Sequence, residues 1–317
     1  MASSTAVGLR TRTAASRRAA VFARQGSHWV FLVPTLVFFI GWQVYPIFRV
    51  LWMSFTDYHF LRTNVPVAWV GLQNYVSALS DPLVLLGLQR AATFTALFLP
   101  GMIFVPMLLA IMVDRVSHQG LATLYRLILL IPAVIPGPLV FVLWKWLYNF
   151  TIGPINYLLI SLGLVTPQTA PQWLGDPSLT LPAIALMEVW WGLGYHTMFY
   201  LAGLAAIPKE LFEAARVDGA NEWKLFWHIT LPRLRPILLV LVVLRFGTAM
   251  AVIDEYLILG GFNRALPTYT WTVYMWDTAF QIGDWFQAYA AAIGWIGAAA
   301  MLVVVGGLFW VFRPRDG

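Results

Sequence analysis

The sequence predicts an all-α, polytopic membrane protein with six transmembrane helices. Composition is the first reason: 11% of the 317 residues are charged and 60% apolar, against about 25% and 45–50% in a soluble domain. The mean hydropathy is +0.74. Runs of bilayer length are the second, because a spanning helix needs about 20 mostly apolar residues to satisfy its own backbone in lipid.

Taken in order, Trp29 to Phe48, Ala91 to Val113, Leu127 to Trp144 and Trp285 to Phe312 contain no Asp, Glu, Lys or Arg. Leu181 to Ile207 is apolar around Glu188, and Pro236 to Leu259 around Arg245, Asp254 and Glu255; with these the expected spans number six. The connections Ser54 to Arg90 and Tyr148 to Thr180 are rich in Pro, Gly, Asn and aromatics, and are expected as short interfacial elements on the external face. No internal repeat or heptad run is visible.

Charge sets the orientation. Residues 1–27 form a basic tail with Arg10, Arg12, Arg17, Arg18 and Arg24, and the fourth connection carries Lys209, Arg216, Lys224, Arg233 and Arg235. Arg115 and Arg126 lie in the second connection, and Arg313 and Arg315 follow the last span. The odd connections hold only Arg49, Arg62, Arg90, Lys145 and Arg264. By the positive-inside rule both termini are cytoplasmic. The tail has the Arg, Ser and Ala content of a transit peptide, but a basic tail beside an uncleaved first span needs no such explanation, and that span is too long for a signal peptide. The excess of 20 Lys and Arg over 14 Asp and Glu is a topology signal rather than a nucleic-acid footprint.

Several chemistries are excluded. With no cysteine, disulfides, thiolate metal sites and thiol nucleophiles are ruled out. The three lysines follow Trp144, Pro208 and Trp223, so no Gly-Lys phosphate loop exists. The five histidines form no H-E-x-x-H pair and there is no G-x-S-x-G elbow; no metal or other cofactor is expected. An intramembrane enzyme would have to rest on Glu188 and His196, about two helical turns apart.

The fourth connection, residues 208–236, is longer than a simple joint between helices requires. It reads PKELFEAARVDGANEWKLFWHITLPRLRP. Pro208 suits the start of a helix over Lys209 to Val217, Gly219 breaks it, and a second helix from about Asn221 to Thr230 is expected to stop before Pro232. Leu211, Phe212, Ala215, Val217, Leu225, Phe226 and Ile229 alternate with charges, as in a hairpin that lies on headgroups or docks into a groove.

Here the sequence resembles a known family. Glu213-Ala214-Ala215, Asp218-Gly219-Ala220 and Ile229-Thr230-Leu231-Pro232 are similar to the EAA signature of the membrane subunits of binding-protein-dependent ABC importers. FLVPTLVFFIGWQVYPIFRVLWMSFTDY, WVGLQNY, GPINYLLISLGL with Trp173, and LAGLAAIPKELFEAA resemble its carbohydrate branch, the maltose and glycerol-3-phosphate permease type. One departure is Phe262 after Gly260-Gly261, where the family usually carries Pro.

The resemblance implies a type I importer permease fold over residues 28–317, a cell-membrane location, and half of a translocation pathway with no chemistry of its own. It implies that Glu213, Ala214, Ala215, Asp218, Gly219 and Ala220 couple to a separate ATPase. The implied partners are a second homologous permease, two ATP-binding subunits and an extracytoplasmic solute-binding protein. By spacing from the signature, Gly194, Thr197, Leu244, Thr248 and Ala251 match positions that line the sugar site in the maltose-type permease.

Ionisable and aromatic residues within spans add Glu188, Trp191, Tyr195 and Glu255 as pathway candidates, with helix packing as their ordinary alternative. An ion-coupled secondary transporter using Glu188, His196 and Asp254 would instead carry inverted repeats and broken helices, neither of which the sequence displays. The topology has a direct test in this cysteine-free chain. In intact cells a membrane-impermeant thiol reagent should label Ser178→Cys and spare Ser16→Cys, and the reverse pattern would invert the orientation.

Overall fold

The computed structural model describes residues 32–62, 64–281 and 286–312; the 1–27 tail, Arg313 and Arg315 lie outside them. Residues 32–53 form a unit of their own. They fold as α1 (32–39), a π-turn at Ile40–Val44 and α2 (Tyr45–Met53), together one apolar helix of 22 residues. It runs past the expected end at Phe48. In the widened turn the Tyr45 amide donates to the Ile40 carbonyl, which accommodates Pro46, a residue that cannot bond to the turn before it.

The second unit begins at Ser54. The interfacial elements expected before the second span are a bridge between Thr56 and Trp69 and α3 (Gln73–Ser80). Then comes α4 (Pro82–Asp114), 33 residues long, which starts well before the predicted Ala91. Asp81 caps it by accepting from the Leu83 amide, and Pro82 occupies the first turn, a favourable N-terminal pair. Burial opposes ionisation of Asp81, but hydrogen bonds from the Tyr274 and Tyr289 hydroxyls outweigh it and hold the carboxyl below its ordinary range. Arg90, expected in a loop, lies in this helix and donates to the carbonyls of Arg264 and Tyr269.

The third expected span is broken. Helices α5 (Gln119–Val134) and α6 (Gly137–Leu147) bend by 92° at Ile135-Pro136. After α7 (Pro154–Ser161), α8 (Pro177–Ala205) is continuous and packs along α4. The buried Asn156 organises the connection between α6 and α8: it donates to the carbonyls of Phe150 and Pro171 and accepts from the Trp173 indole. The fourth connection forms α9 (Lys209–Val217) and α10 (Glu222–Leu225).

The expected stop before Pro232 does not occur. A π-turn, Phe226–Thr230, carries α10 into α11 (Leu231–Met250), with the Leu231 amide reaching back to the Phe226 carbonyl. The predicted span to Leu259 breaks at residues 251–253 before α12 (Asp254–Leu259). Broken helices, absent from the sequence reading, are therefore present twice. At the turn that follows, Gly261 has φ +61 and donates to the carbonyls of Tyr256 and Leu257, so the reversal forms with Phe262 in place of Pro. The buried helix α13 (Trp271–Phe280), which the sequence did not announce, and α14 (Gln287–Phe312) complete the fold.

Among the described residues three helices are each long and apolar enough to cross a bilayer, and a fourth if α5 and α6 count as one bent span. The core has two parts. The larger joins Phe94, Phe98, Met102, Phe141, Ile184 and Met187 with Tyr256 and Trp271; the smaller joins Met107, Ala110, Tyr200, Leu234 and Leu241.

Both breaks are closed by indoles. Trp191 Nε1 donates to the Ile135 carbonyl at 3.1 Å. Trp271 Nε1 donates to the Met250 carbonyl at 2.9 Å, and Thr272 Oγ1 to that of Val252 at 2.5 Å. A carbonyl freed by a helix break has no water to turn to in the apolar interior. Trp271→Phe keeps a ring there and removes one donor, and should lower the stability of the purified protein in detergent by about 1–3 kcal/mol, read as a fall in melting temperature; an unchanged melting temperature would show that the carbonyl finds another donor.

Candidate functional site

Two regions bring the predicted residues together. The first is the hairpin of α9 and α10. Helix α9 ends in a Schellman motif: the Gly219 amide donates to the Arg216 carbonyl at 3.0 Å and the Ala220 amide to that of Ala215 at 2.9 Å, with Gly219 at φ +80. This left-handed geometry favours glycine. Asn221 then caps α10 by accepting from the Lys224 amide at 2.9 Å.

No residue of α9 is buried. Leu211, Phe212 and Ala215 are half-buried, while Glu213, Ala214 and Asp218 are exposed and Val217 is 87% exposed. Beneath the hairpin a cavity of about 210 Å³ separates it from the ends of α4 and α8, with Glu213 among its lining residues. Glu222 bridges that gap, meeting Arg115 at 2.5 Å and Arg216 at 3.4 Å. All three side chains are more than half exposed, so the bridge contributes little to stability and acts on geometry. The sequence reading began a helix at about Asn221 but did not foresee this tie, since Arg115 and Glu222 are 107 residues apart. The exposed Trp223 and Trp227, packed edge to face, went unremarked in the sequence reading.

The second region is a cavity of about 260 Å³ lined by Ala133 of α5, Glu188, Trp191, Gly192 and Tyr195 of α8, and Arg245 of α11. Glu188, Trp191 and Tyr195 recur at a spacing of three and four residues and so share one face of α8. Arg245 Nε donates to His196 Nε2 at 2.6 Å, and His196 Nδ1 lies 2.8 Å from the Gly192 carbonyl. The neutral tautomer with its proton on Nδ1 satisfies both bonds. Glu188 is 7% exposed and its Oε1 has no hydrogen-bond partner. Glu255, half-buried on α12, and Arg245 both act on Glu188 electrostatically.

The family of inner-membrane components of binding-protein-dependent transport systems matches residues 90–313. This chain belongs to that family. The permease is 32% identical to a probable ABC transporter permease of Pyrococcus horikoshii over 90% of its length and 96% of the relative's. It is 32% identical to the trehalose/maltose permease of Thermococcus litoralis over 74% and 76% of the two chains. In fold it matches two crystal structures of a bacterial alginate importer, with TM-scores of 0.81 and 0.79 at 23% and 25% identity, covering 95% and 93% of this chain and 100% and 96% of those chains. It is thus a multi-pass membrane protein and a channel-forming subunit, with ATP hydrolysis left to a separate one.

Six pathway candidates of the permease do not line the cavity: Gly194, Thr197, Leu244, Thr248, Ala251 and Glu255. Thr197 is fully buried and its hydroxyl donates to the Leu193 carbonyl at 2.7 Å. Gly194 is buried against α5, where an added Cβ would fall 2.1 Å from the Leu129 carbonyl oxygen. On α11, Leu244 and Thr248 are exposed and, four residues apart, share a side of the helix; Ala251, half-buried, begins the break that follows.

The secondary-transporter reading loses its relay, because His196 has both ring nitrogens engaged and Asp254 is exposed. The same engagement removes His196 as a base for an intramembrane enzyme. Gly194→Ala should act through packing alone: a methyl group forced against backbone costs about 1–3 kcal/mol. The variant should therefore melt at lower temperature while any complex that assembles keeps its solute preference, and a changed preference with normal stability would place Gly194 on the pathway.

Proposed function

We propose that this permease is one of two homologous subunits that together form the translocation pathway of an ABC importer for sugars or related carbohydrates. In this reading residues 28–317 cross the inner membrane six times with both ends cytoplasmic. A second permease covers the exposed side of Leu244 and Thr248, two ATP-binding subunits receive the loop 208–236, and an extracytoplasmic binding protein delivers the solute. Support for the substrate class comes from the relatives, among them the trehalose/maltose permease and a sulfoquinovosyl glycerol permease of Agrobacterium fabrum. Support for the binding protein comes from the alginate importer, solved with its sugar-loaded periplasmic protein.

The observation that carries the reading is the hairpin. It presents Ala214, Val217 and Asp218 outward, packs loosely over a cavity that the exposed Glu213 helps to line, and is continuous through α10 and its π-turn with the helix that bears Arg245. A loop that only joined two helices would need neither the length nor the capped reversal. Glu213 offers a carboxylate to basic partner groups, and the small side chains of Ala214, Ala215 and Ala220 permit close approach.

Replacing Gly219 tests this. An added Cβ meets nothing within 4 Å, so Gly219→Val strains only the backbone, by about 1–3 kcal/mol. The variant should insert and assemble, while solute-stimulated ATP hydrolysis and uptake by the reconstituted complex fall together. Unchanged stimulation and uptake would show that the hairpin is not the coupling element.

A further inference from the structure

We infer that Glu222 is a positioning residue for coupling: clasped between Arg115 and Arg216, it is the strut that fixes how far the hairpin stands from the end of α4. This rests on the reading of the hairpin as the coupling element and adds to it the residue that holds that element in place.

The hairpin has few other supports. No residue of α9 is buried, and among the described residues no helix packs closely along it. Beneath it lies the cavity of about 210 Å³, so a load that presses α9 inward meets space rather than packed side chains. At its two ends the hairpin is joined covalently to the helices it connects, to α8 through residues 206–208 and to α11 through the π-turn. Helix α4 also borders the cavity, and among the described residues the hairpin has one ion pair with it, from Arg115 Nη2 to Glu222 Oε2. Arg115 is the C-cap of α4, a helix of 33 residues that packs on α8, α11 and α13. The tie therefore ends on the frame of the molecule and not on another loop.

The geometry of Glu222 suits a strut. Its Oε2 engages the end of α4 and its Oε1 engages Arg216 in the last turn of α9 at 3.4 Å. The residue itself stands in the first turn of α10, where the Asn221 cap fixes the backbone. One carboxylate thus joins three helix ends. Asp114, Lys209 and Glu213 line the same cavity but form no ion pair among the described residues, so they supply no second tie. An exposed charge pair shifts an equilibrium by roughly fivefold at most. That is too little to hold a fold together, and enough to choose between two positions of a loosely supported hairpin.

The test reads the position of the hairpin and its consequence separately. Spin labels on Ser117→Cys and Val217→Cys, both exposed sites in a cysteine-free chain, report the distance from the end of α4 to α9 by double electron–electron resonance in the complex assembled with its partner subunits. In a second set of complexes, labelling of Thr248→Cys by N-ethylmaleimide, before and after trapping with ATP and orthovanadate, reports the response of α11 to the ATPase. Glu222→Gln and Arg115→Gln should each broaden the distance distribution and cut the trapping-induced change in labelling roughly two- to fivefold. The bond uses one nitrogen of Arg115, so Arg115→Lys should retain both readouts. Two Gln variants on opposite sides of the bond guard against one that fails to assemble. An unchanged distance distribution in the Gln variants, a changed distribution with an unaltered labelling response, or a Lys variant that behaves like the Gln variants overturns the strut. A wild-type complex that traps nucleotide yet shows no change at Thr248→Cys overturns instead the reading of the hairpin as the coupling element.

Discussion

Every part of this permease answers to one constraint: in a bilayer a backbone amide or carbonyl without a partner has no water to fall back on. Prolines and helix breaks create such groups, and the chain meets them in two ways. The π-turns at Ile40–Val44 and Phe226–Thr230 each end two residues before a proline, Pro46 and Pro232. Widening the turn moves the hydrogen bonds to the fifth residue on, and the helix passes through instead of stopping. At the sharper breaks, side chains from elsewhere reach in: Trp191 to Ile135, Trp271 to Met250 and Thr272 to Val252.

The same constraint explains where the cations sit. Arg90 donates to two carbonyls of the segment before α13, and Lys145 Nζ donates to the Ile258 carbonyl at the end of α12 at 2.6 Å. Arg245 donates to His196. Charges that count against a span by composition act here as donors to irregular backbone or to another side chain. Lys145 also ties α6 to α12, so the second halves of the two broken helices pack together and bring Glu255 of α12 toward Glu188.

Hydropathy located the long helices because their residues meet lipid or core along their whole length, and it placed α8 and α14 within a few residues. It could not see the bend at Ile135-Pro136, since a charge-free run reports what surrounds the side chains and not the path of the backbone. Helix α13 was missed for a related reason: at 10 residues it is too short to span, and its place is set by packing on α4 and α14. The hairpin was legible because capping is local, with Pro208, Gly219 and Asn221 marking their own turns. The cavity was half legible. Helical phase puts Glu188, Trp191 and Tyr195 on one face and Gly194 and Thr197 on another, but the bond from Arg245 to His196 joins residues 49 apart in sequence, and no local pattern foretells it.

The two regions of the site are mechanically one. From Glu222 to Met250 the chain is helical without interruption, through α10, the π-turn and α11, and at 1.5 Å per residue Arg245 lies about 35 Å along this rod from Glu222. The hairpin is therefore joined to Arg245 by covalent helix rather than through side-chain contacts. The rod ends at the break of residues 251–253, beyond which α12 is held by Lys145 and, across that break, by Trp271 and Thr272. Arg245 thus belongs to the rod, while Glu255 lies beyond the break. Glu188 of α8 interacts electrostatically with both.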